Sequence, residues 1–328
     1  MPNGDLIDAA NGEITTKFQQ ITDIAERRYV TDDLVASDIG FYAAKCALES
    51  SEIDKESLDY IIVAHNFGDV KKDNRRSDFV PSIGARIKQK LQIENPYCIP
   101  YDIPFGCPGW LQGMIQANYF LKSGDAKRAM IIGAETLSRV SDPHDRDSMI
   151  YSDGAGATIL EAQNSKSSAG ILSHAVRSDT LVQASLLRME ESYNPEFSGS
   201  DLFLKMDGRK LYNHALTTVP QLVKDSIDKA GLSIGDISKV LIHQANAKMD
   251  EAILQRLFRL YGKSEIPQDV MPMTISWLGN SSVATVPTLL DLMLKGALNG
   301  HSWESGHNIV FASVGAGMNI NSMVYKVP

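Results

Sequence analysis

Cys107 is the side chain whose surroundings best suit nucleophilic chemistry. Gly106 precedes it, and Pro108 follows at the start of a helical pattern. Unpaired backbone N–H groups and the positive dipole end at a helix start lower the pKa of a thiol and favour the nucleophilic thiolate. The alternative is a small buried thiol without chemistry, which is our interpretation of Cys46 and Cys98. The flanking glycine and proline favour a nucleophile at position 107.

Two further side chains, His243 and Asn280, are candidates for donating hydrogen bonds to a substrate. His243 follows the apolar run 240–242, and catalytic groups of α/β sheets gather at the carboxyl ends of strands. A structural histidine is the alternative there. Asn280 precedes a predicted helix, where an amide either caps the helix or donates to a substrate oxygen. The small-residue turn 314–318 either supplies N–H groups to an oxyanion or is only a tight turn.

Composition limits the classes of protein to consider. A length of 328 residues favours about two domains, and 43% hydrophobic residues indicate a folded chain. Forty acidic against 32 basic residues give a net charge of −8, which argues against nucleic-acid binding. We see neither a membrane span nor a secretory signal in the sequence. Three cysteines fit a reducing compartment, so we expect a cytoplasmic protein.

Short apolar runs alternate with helical periodicity along the chain. Continuous apolar runs predict strands buried on both faces at residues 61–64, 129–132, 157–160, 240–242 and 309–312. Helices are predicted at residues 37–51, 108–122, 216–230, 247–261 and 282–295. The alternation predicts an α/β fold whose sheets are covered by helices.

The two halves of the chain resemble each other. Residues 53–63 match residues 232–242, and each segment follows an amphipathic helix and runs into a buried strand. Chance similarity between βα units is the alternative, but the shared order of units favours duplication. We predict halves at 1–165 and 166–328, with the junction within 164–170.

Duplication predicts where the candidate residues meet. Gly106-Cys107 and Gly279-Asn280 each precede a predicted helix and then a strand. A duplicated unit places equivalent turns about a pseudo-two-fold axis. We therefore predict that Cys107, Asn280 and the strand end before His243 converge.

Together these residues resemble the cysteine, histidine and asparagine of the β-ketoacyl-acyl-carrier-protein synthase III family of thiolase-like condensing enzymes. Stretches similar to family motifs follow in family order at residues 24–28, 133–135, 142–146, 153–157, 243–246, 279–282 and 315–317. The chain departs from the family near its start, because no strand-like run precedes Ile24. Lys17 and Ile21 also replace the tryptophan and arginine that the family has at its tunnel mouth.

The resemblance implies a duplicated α/β, thiolase-like fold, which is a five-layered αβαβα sandwich, and a homodimer. It implies that Cys107 holds an acyl group, while neutral His243 and Asn280 stabilise the enolate left when a malonyl thioester loses carbon dioxide. The N–H groups of Cys107 and Ala316 would form the oxyanion hole. Acyl-CoA and acyl-carrier protein are the expected partners, and no metal, redox cofactor, nucleic acid or membrane is expected.

The resemblance also implies residues that contact the substrate or its carrier, namely Arg146, Asn246, Lys248, Phe79 and Val80. Lys248 supplies a positive charge for a phosphate or an acidic carrier. Val80 stands where the family closes the partner's acyl tunnel across the dimer, often with phenylalanine. The smaller valine predicts a primer longer than acetyl, unless Phe79 fills the space.

The reaction expected from the resemblance is the condensation that starts fatty-acid synthesis. One alternative is a related enzyme of secondary metabolism that joins longer acyl chains. Others are a cysteine hydrolase, a reaction like that of hydroxymethylglutaryl-CoA synthase, and a non-catalytic partner of another condensing enzyme. The presence of Cys107 argues against the last, since such partners typically lack the nucleophile.

Overall fold

The computed structural model describes residues 10–164 and 169–328. Its α-helices are α1 (Asn11–Thr22), α2 (Ala36–Ser51), α3 (Ile83–Lys90), α4 (Gly109–Ser123), α5 (Thr180–Gln183), α6 (Gly208–Lys229), α7 (Ala247–Leu260), α8 (Ile275–Leu278) and α9 (Thr285–Leu294). Its strands are β1 (Tyr60–His65), β2 (Ile99–Pro104), β3 (Arg128–Thr136), β4 (Asp153–Glu161), β5 (Gly170–Ser178), β6 (Leu187–Glu190), β7 (Phe203–Met206), β8 (Lys239–Ile242), β9 (Asn308–Gly315) and β10 (Asn319–Lys326).

All the predicted strands and helices are present, with shifted ends. Helix α6 starts well before the predicted residue 216, because the Asp207 side chain accepts a hydrogen bond from the Lys210 N–H and caps the helix at that point. The helix predicted from residue 282 begins as a 3₁₀ turn, Ser282–Ala284, and continues as α9.

Two four-stranded sheets form the framework. The first has the order β2-β1-β3-β4, and the second has the order β5-β10-β9-β8. Strand β1 runs parallel to both β2 and β3, and β8 runs parallel to β9. Strands β6 and β7 form a separate antiparallel pair. The central strands are buried on both faces, as their continuous apolar runs predict.

Helices cover both faces of each sheet and produce five layers. Helices α2 and α3 pack on the outer face of the first sheet, and α6 packs on the outer face of the second, where α7 shares a core cluster with α6 and β8. Helices α4 and α9 lie between the sheets and contact both. Ile62 and Phe311 bury their side chains in this central layer. The fold is therefore the duplicated, five-layered αβαβα sandwich of thiolase-like enzymes.

The strand order repeats between the sheets. Strands β1, β3 and β4 correspond in order and direction to β8, β9 and β10, while β2 and β5 extend one sheet each. The predicted boundary between 165 and 166 lies outside the described residues. Helix α1 occupies the segment before Ile24, and among the described residues no strand precedes β1.

The structure corrects the prediction for one of the three cysteines. Cys98 is buried as predicted, but Cys46 is exposed, so the prediction of a buried thiol there is wrong. The buried face of α2 includes Gly40 and Ala44, and a residue two positions beyond Ala44 lies on another side of the helix. No helix among the described residues is long and apolar enough to cross a membrane.

Candidate active site

Cys107, His243 and Asn280 line a single cavity of about 210 Å³. Cys107 lies between β2 and α4, His243 follows β8, and Asn280 follows α8. Ala316, from the turn between β9 and β10, lines the same cavity. The structure thus brings together the residues that the sequence predicted to converge.

Two glycines allow the turns that carry Cys107 and Ala316 to approach each other. A Cβ atom on Gly106, whose φ is +73°, would lie 2.8 Å from the Ala316 amide nitrogen. A Cβ atom on Gly315 would lie 2.5 Å from the Cys107 amide nitrogen. Any side chain at either position would therefore push the turns apart, and with them the two N–H groups expected to form an oxyanion hole.

The ionisation state of Cys107 differs from the sequence-based prediction. Helix α4 begins one residue later than predicted, with Pro108 as the capping residue. Burial raises the pKa of the Cys107 thiol to about 11, although a hydrogen bond from Ser282 lowers it. The negative charge of Glu135 raises this pKa further. The prediction that the helix start lowers this pKa and favours the thiolate is therefore wrong, because burial outweighs the position before a helix.

His243 is buried and uncharged at neutral pH. Burial lowers the pKa of its imidazole to about 4, and contact with the Ser282 backbone only partly opposes this. A neutral imidazole carries one N–H donor and one acceptor nitrogen. This is the protonation state that the sequence analysis expected for His243.

Backbone and side-chain contacts fix Asn280. Its N–H donates to the Ile150 carbonyl at 2.9 Å, and its carbonyl accepts from the Ser152 N–H at 2.8 Å. Its side-chain Oδ1 accepts from the Ser282 N–H at 2.9 Å. The oxygen of the amide is thus bound by the first residue of the following 3₁₀ turn, whose capping residue is Ser281. Donation from Nδ2 to a substrate oxygen stays a prediction.

A second cavity of about 600 Å³ is lined by Arg146, Asn246 and Lys248. Lys17 and Ile21, at the positions of the family's tunnel mouth, line it too. The two cavities share the side chains of Ile150, Met206, Leu211, Ala245 and Met249. The outer cavity therefore adjoins the one that holds Cys107.

The polar residues of the outer cavity differ in how freely they could contact a ligand. Asn246 Oδ1 accepts from the Met249 N–H at 3.0 Å and caps α7. Arg146 pairs with Asp147 at 3.0 Å. Lys248 is exposed and has no ion-pair partner within 10–164 and 169–328.

Phe79 and Val80 lie outside both cavities. Val80 is 86% exposed and Phe79 is 46% exposed. The Phe79 ring lies 5.8 Å from the His65 ring, between centroids. Within a single chain neither residue reaches Cys107, so their role across a dimer interface stays a prediction.

Sequence analysis did not identify the apolar walls of the inner cavity. Strands β6 and β7 supply Leu187, Met189, Leu204 and Met206. Lys205 is fully buried between the last two, where it pairs with Asp142 and lies 3.7 Å from the centroid of the Tyr193 ring. The apolar residues of the segment 202–206 were the available signal, but the segment is short and Lys205 interrupts it. Asn66 and Ser282, which also line the cavity, were missed as well.

Two family models match this chain. The model for 3-oxoacyl-[acyl-carrier-protein] synthase III matches residues 101–180, and the model for its C-terminal part matches residues 227–327. Within the described residues no group of three or more His, Cys, Asp or Glu side chains is placed to hold a metal ion.

Relatives of known name cover nearly all of the chain. A β-ketoacyl-[acyl-carrier-protein] synthase III from Vibrio vulnificus is 31% identical over 306 residues, which are 93% of this chain and 88% of the relative. One from Ehrlichia ruminantium is 30% identical over 298 residues, 90% of this chain and 86% of the relative. The crystal structure of the Thermus thermophilus synthase III matches with a TM-score of 0.81 and 25% identity, covering 98% of this chain and 92% of that one. The chain belongs to the β-ketoacyl-[acyl-carrier-protein] synthase III family of condensing enzymes.

Proposed function

We propose that this enzyme condenses an acyl group held on Cys107 with a malonyl thioester, supplied as malonyl-acyl-carrier protein, to give a β-ketoacyl thioester in fatty-acid initiation. The observation that supports this most is the meeting of Cys107, His243 and Asn280 in one cavity. Their chemistry is that of acyl transfer followed by stabilisation of an enolate.

In the first half-reaction Cys107 takes the acyl group from a thioester. Sulfur attacks the thioester carbonyl, and the N–H groups of Cys107 and Ala316 stabilise the oxyanion that forms. The bond to the departing thiol then breaks, and the proton lost from Cys107 ends on that thiol. Because burial raises the pKa of the Cys107 thiol, this proton is lost before attack, and the small thiolate fraction limits the acylation rate.

In the second half-reaction a malonyl thioester binds with its carbonyl oxygen toward His243 and Asn280. The carbon–carbon bond to the carboxylate breaks, carbon dioxide leaves, and the electron pair forms an enolate. Two neutral donors stabilise this enolate, each worth about 3–4 kcal/mol. The enolate carbon attacks the acyl-Cys107 carbonyl, the carbon–sulfur bond to Cys107 breaks, and the sulfur takes up a proton from solvent as the product leaves.

The outer cavity suits the carrier. Lys248 is exposed at its rim, and Arg146 lies in its wall. Both charges favour the phosphate of a thioester carrier and the acidic surface of an acyl-carrier protein. We propose a cytoplasmic homodimer that takes its primer from acyl-CoA or from acyl-carrier protein.

A second candidate is the same condensation with longer acyl chains, in secondary metabolism. The wall of the inner cavity is apolar and includes Met189, Met206 and Met249. Methionine side chains are flexible and adapt to ligands of different shape. The length of the primer therefore decides between the two candidates.

The test is intact-protein mass spectrometry after incubation with acyl-CoA from acetyl to decanoyl. We expect one added acyl mass on the wild type and none on Cys107→Ala, while Cys46→Ala, a control that removes an exposed thiol, behaves as wild type. Adding malonyl-acyl-carrier protein should then yield a β-ketoacyl product. Acylation at Cys46 or Cys98 would contradict the assignment, and release of free acid without a β-keto product would indicate a hydrolase.

A further inference from the structure

Ser282 contacts the nucleophile directly. Its hydroxyl oxygen lies 3.4 Å from the Cys107 sulfur, within hydrogen-bond distance for sulfur. Ser282 is buried and has a φ of +55°, in the left-handed region that non-glycine residues rarely adopt. Such backbone strain is found preferentially at functional sites. The strained backbone holds a hydroxyl against the sulfur.

The direction of this hydrogen bond follows from the groups behind Ser282. The Asn66 Nδ2 group donates one hydrogen to the Ser282 oxygen at 3.1 Å and the other to a carboxylate oxygen of Glu135. The Ser282 oxygen is therefore already an acceptor. Its own hydrogen is free to point at the Cys107 sulfur.

Glu135 determines which way the Asn66 amide faces. It is buried at the end of β3 and accepts from the Asn66 backbone N–H at 3.0 Å as well as from Nδ2. Burial raises the pKa of Glu135 to about 7, and above that pH its carboxylate only accepts hydrogen bonds, so it selects the NH₂ side of the amide over the oxygen side. The order of donors thus runs from Asn66, held by Glu135, through Ser282 to the sulfur.

We propose that Ser282 is a further catalytic residue, whose hydroxyl donates to the Cys107 sulfur and stabilises the thiolate that attacks the acyl donor. Asn66 and Glu135 are positioning residues that act through Ser282. This inference rests on the proposed function, since it supplies the stabilisation that a buried thiol needs in order to react.

The charges around the sulfur allow two possible roles of Glu135 to be distinguished: orienting Asn66, or acting on the sulfur through its charge. The titratable groups that face Cys107 are Glu135 from β3, His243 after β8, and Tyr151 near Asn280. His243 is neutral near pH 7, and burial raises the pKa of Tyr151 far above that range. Above its own raised pKa of about 7, the charge of Glu135 disfavours the thiolate. A purely electrostatic role therefore predicts that Glu135→Gln makes the thiol more reactive, whereas positioning predicts that it becomes less reactive.

The first experiment measures alkylation of Cys107 by iodoacetamide between about pH 6 and 9, in a Cys46→Ala background that removes the exposed thiol. A hydrogen bond to a charged group is lost in Ser282→Ala and Ser282→Gly, so both should react about 10- to 100-fold more slowly at each pH. Ser282→Gly also relieves the left-handed backbone, so its thermal stability should not fall. Ser313→Ala, at a buried serine outside the cavity, is the control that should react as wild type.

The second experiment tests the order of the network by double-mutant cycles. Asn66→Ala and Glu135→Gln should each slow alkylation in the wild type, but neither should slow it further in the Ser282→Ala background. Faster alkylation of Glu135→Gln, or equal slowing with and without Ser282, would overturn the proposal. Alkylation needs no acyl substrate, so such a result would leave the proposed condensation standing. Failure of Cys107 to accept an acyl group would instead contradict the proposed function.

Discussion

Burial keeps both Cys107 and His243 uncharged at neutral pH, although it moves their pKa values in opposite directions. It raises the pKa of the Cys107 thiol to about 11 and lowers that of the His243 imidazole to about 4. In each case the low-dielectric surroundings disfavour the charged form. A donor that stays neutral suits enolate stabilisation, while the nucleophile must lose a proton before or during attack.

These two pKa values predict how acylation depends on pH. Below pH 11 the thiolate fraction of Cys107 rises tenfold per pH unit, so the acylation rate should climb between about pH 6 and 9 without a plateau. His243 has a lowered pKa and gains its proton only as the pH falls toward 4, so it adds no inflection near 6.5. Burial raises the pKa of Glu135 to about 7, so its ionisation beside the thiol should make the rise less steep near that pH. Single-turnover acylation followed by quenched mass spectrometry measures this. A plateau below pH 8 would mean that the thiol ionises far more easily than its burial implies.

The two donors should matter in only one half-reaction. His243→Ala and Asn280→Ala should still form acyl-Cys107 but should lose malonyl decarboxylation by about 10²- to 10³-fold, the usual cost of one such donor. Release of labelled carbon dioxide measures this step separately from acylation. His174→Ala, at a histidine outside the cavity, is the control. Wild-type condensation by either donor variant would show that His243 and Asn280 do not share the enolate oxygen.

At the scale of helices, strands and turns, the close approach of two turns determines where the groups of the site lie. The turn after β2 and the turn after β9 meet through Gly106 and Gly315. Strands β6 and β7 are held over the cavity from the other side, where the buried Lys205 pairs with Asp142. Breaking a buried ion pair of this kind typically costs about 3–5 kcal/mol. Strands β6 and β7 carry no reacting group, but they still determine the shape of the cavity.

The approach of the two turns is tested by Gly106→Ala, with Gly124→Ala as its control. Both glycines have a positive φ, so either alanine should lower the free energy of unfolding by about 1–2 kcal/mol. Only the Cβ at position 106 meets another group, the Ala316 amide, whereas nothing lies within 4 Å at position 124. We therefore expect Gly106→Ala alone to lose acylation of Cys107. Equal acylation by the two variants, measured by mass spectrometry, would show that the turns need not touch.

The acyl tunnel belongs to the scale of the whole molecule, because Val80 is proposed to act on a second copy of the chain. If Val80 closes the partner's tunnel, Val80→Phe should shift preference from longer chains toward acetyl. Each buried methylene is worth about 0.8 kcal/mol, or about a fourfold preference. The measurement is kcat/KM for acetyl through decanoyl thioesters. Leu181→Phe, at a side chain that is 97% exposed, controls for adding a ring to the surface.

Two outcomes would show that Val80 does not gate the tunnel. One is a wild type that accepts only acetyl, as expected if Phe79 fills the space. The other is a chain-length profile that Val80→Phe leaves unchanged. The mass of the assembly in solution should be measured for each variant, because the gate requires the proposed dimer.

The sequence by itself determined the layered α/β class, the duplication and the identity of the candidate site. Continuous apolar runs are a local signal for buried strands. They mark the inner strands β1, β3 and β9, and β8, which lies beside β9. Strands β2, β5 and β10 of the two sheets were not predicted, and β10 buries polar side chains such as Asn321 and Ser322, which hide its apolar pattern. Asn321 bonds Gln112 and Ser322 bonds Ser226, partners that are distant in the chain.

Only the tertiary structure decided the pKa of Cys107 and the hydrogen bonds that reach its sulfur. The pKa of Cys107 depends on how deeply neighbouring elements bury it, and the position of Cys107 before α4 by itself predicted a shift in the opposite direction. The contact from Glu135 through Asn66 and Ser282 to the sulfur joins four separate segments of the chain. Local patterns in a sequence report the faces of helices and strands, whereas desolvation and hydrogen bonds between distant segments exist only once the chain has folded.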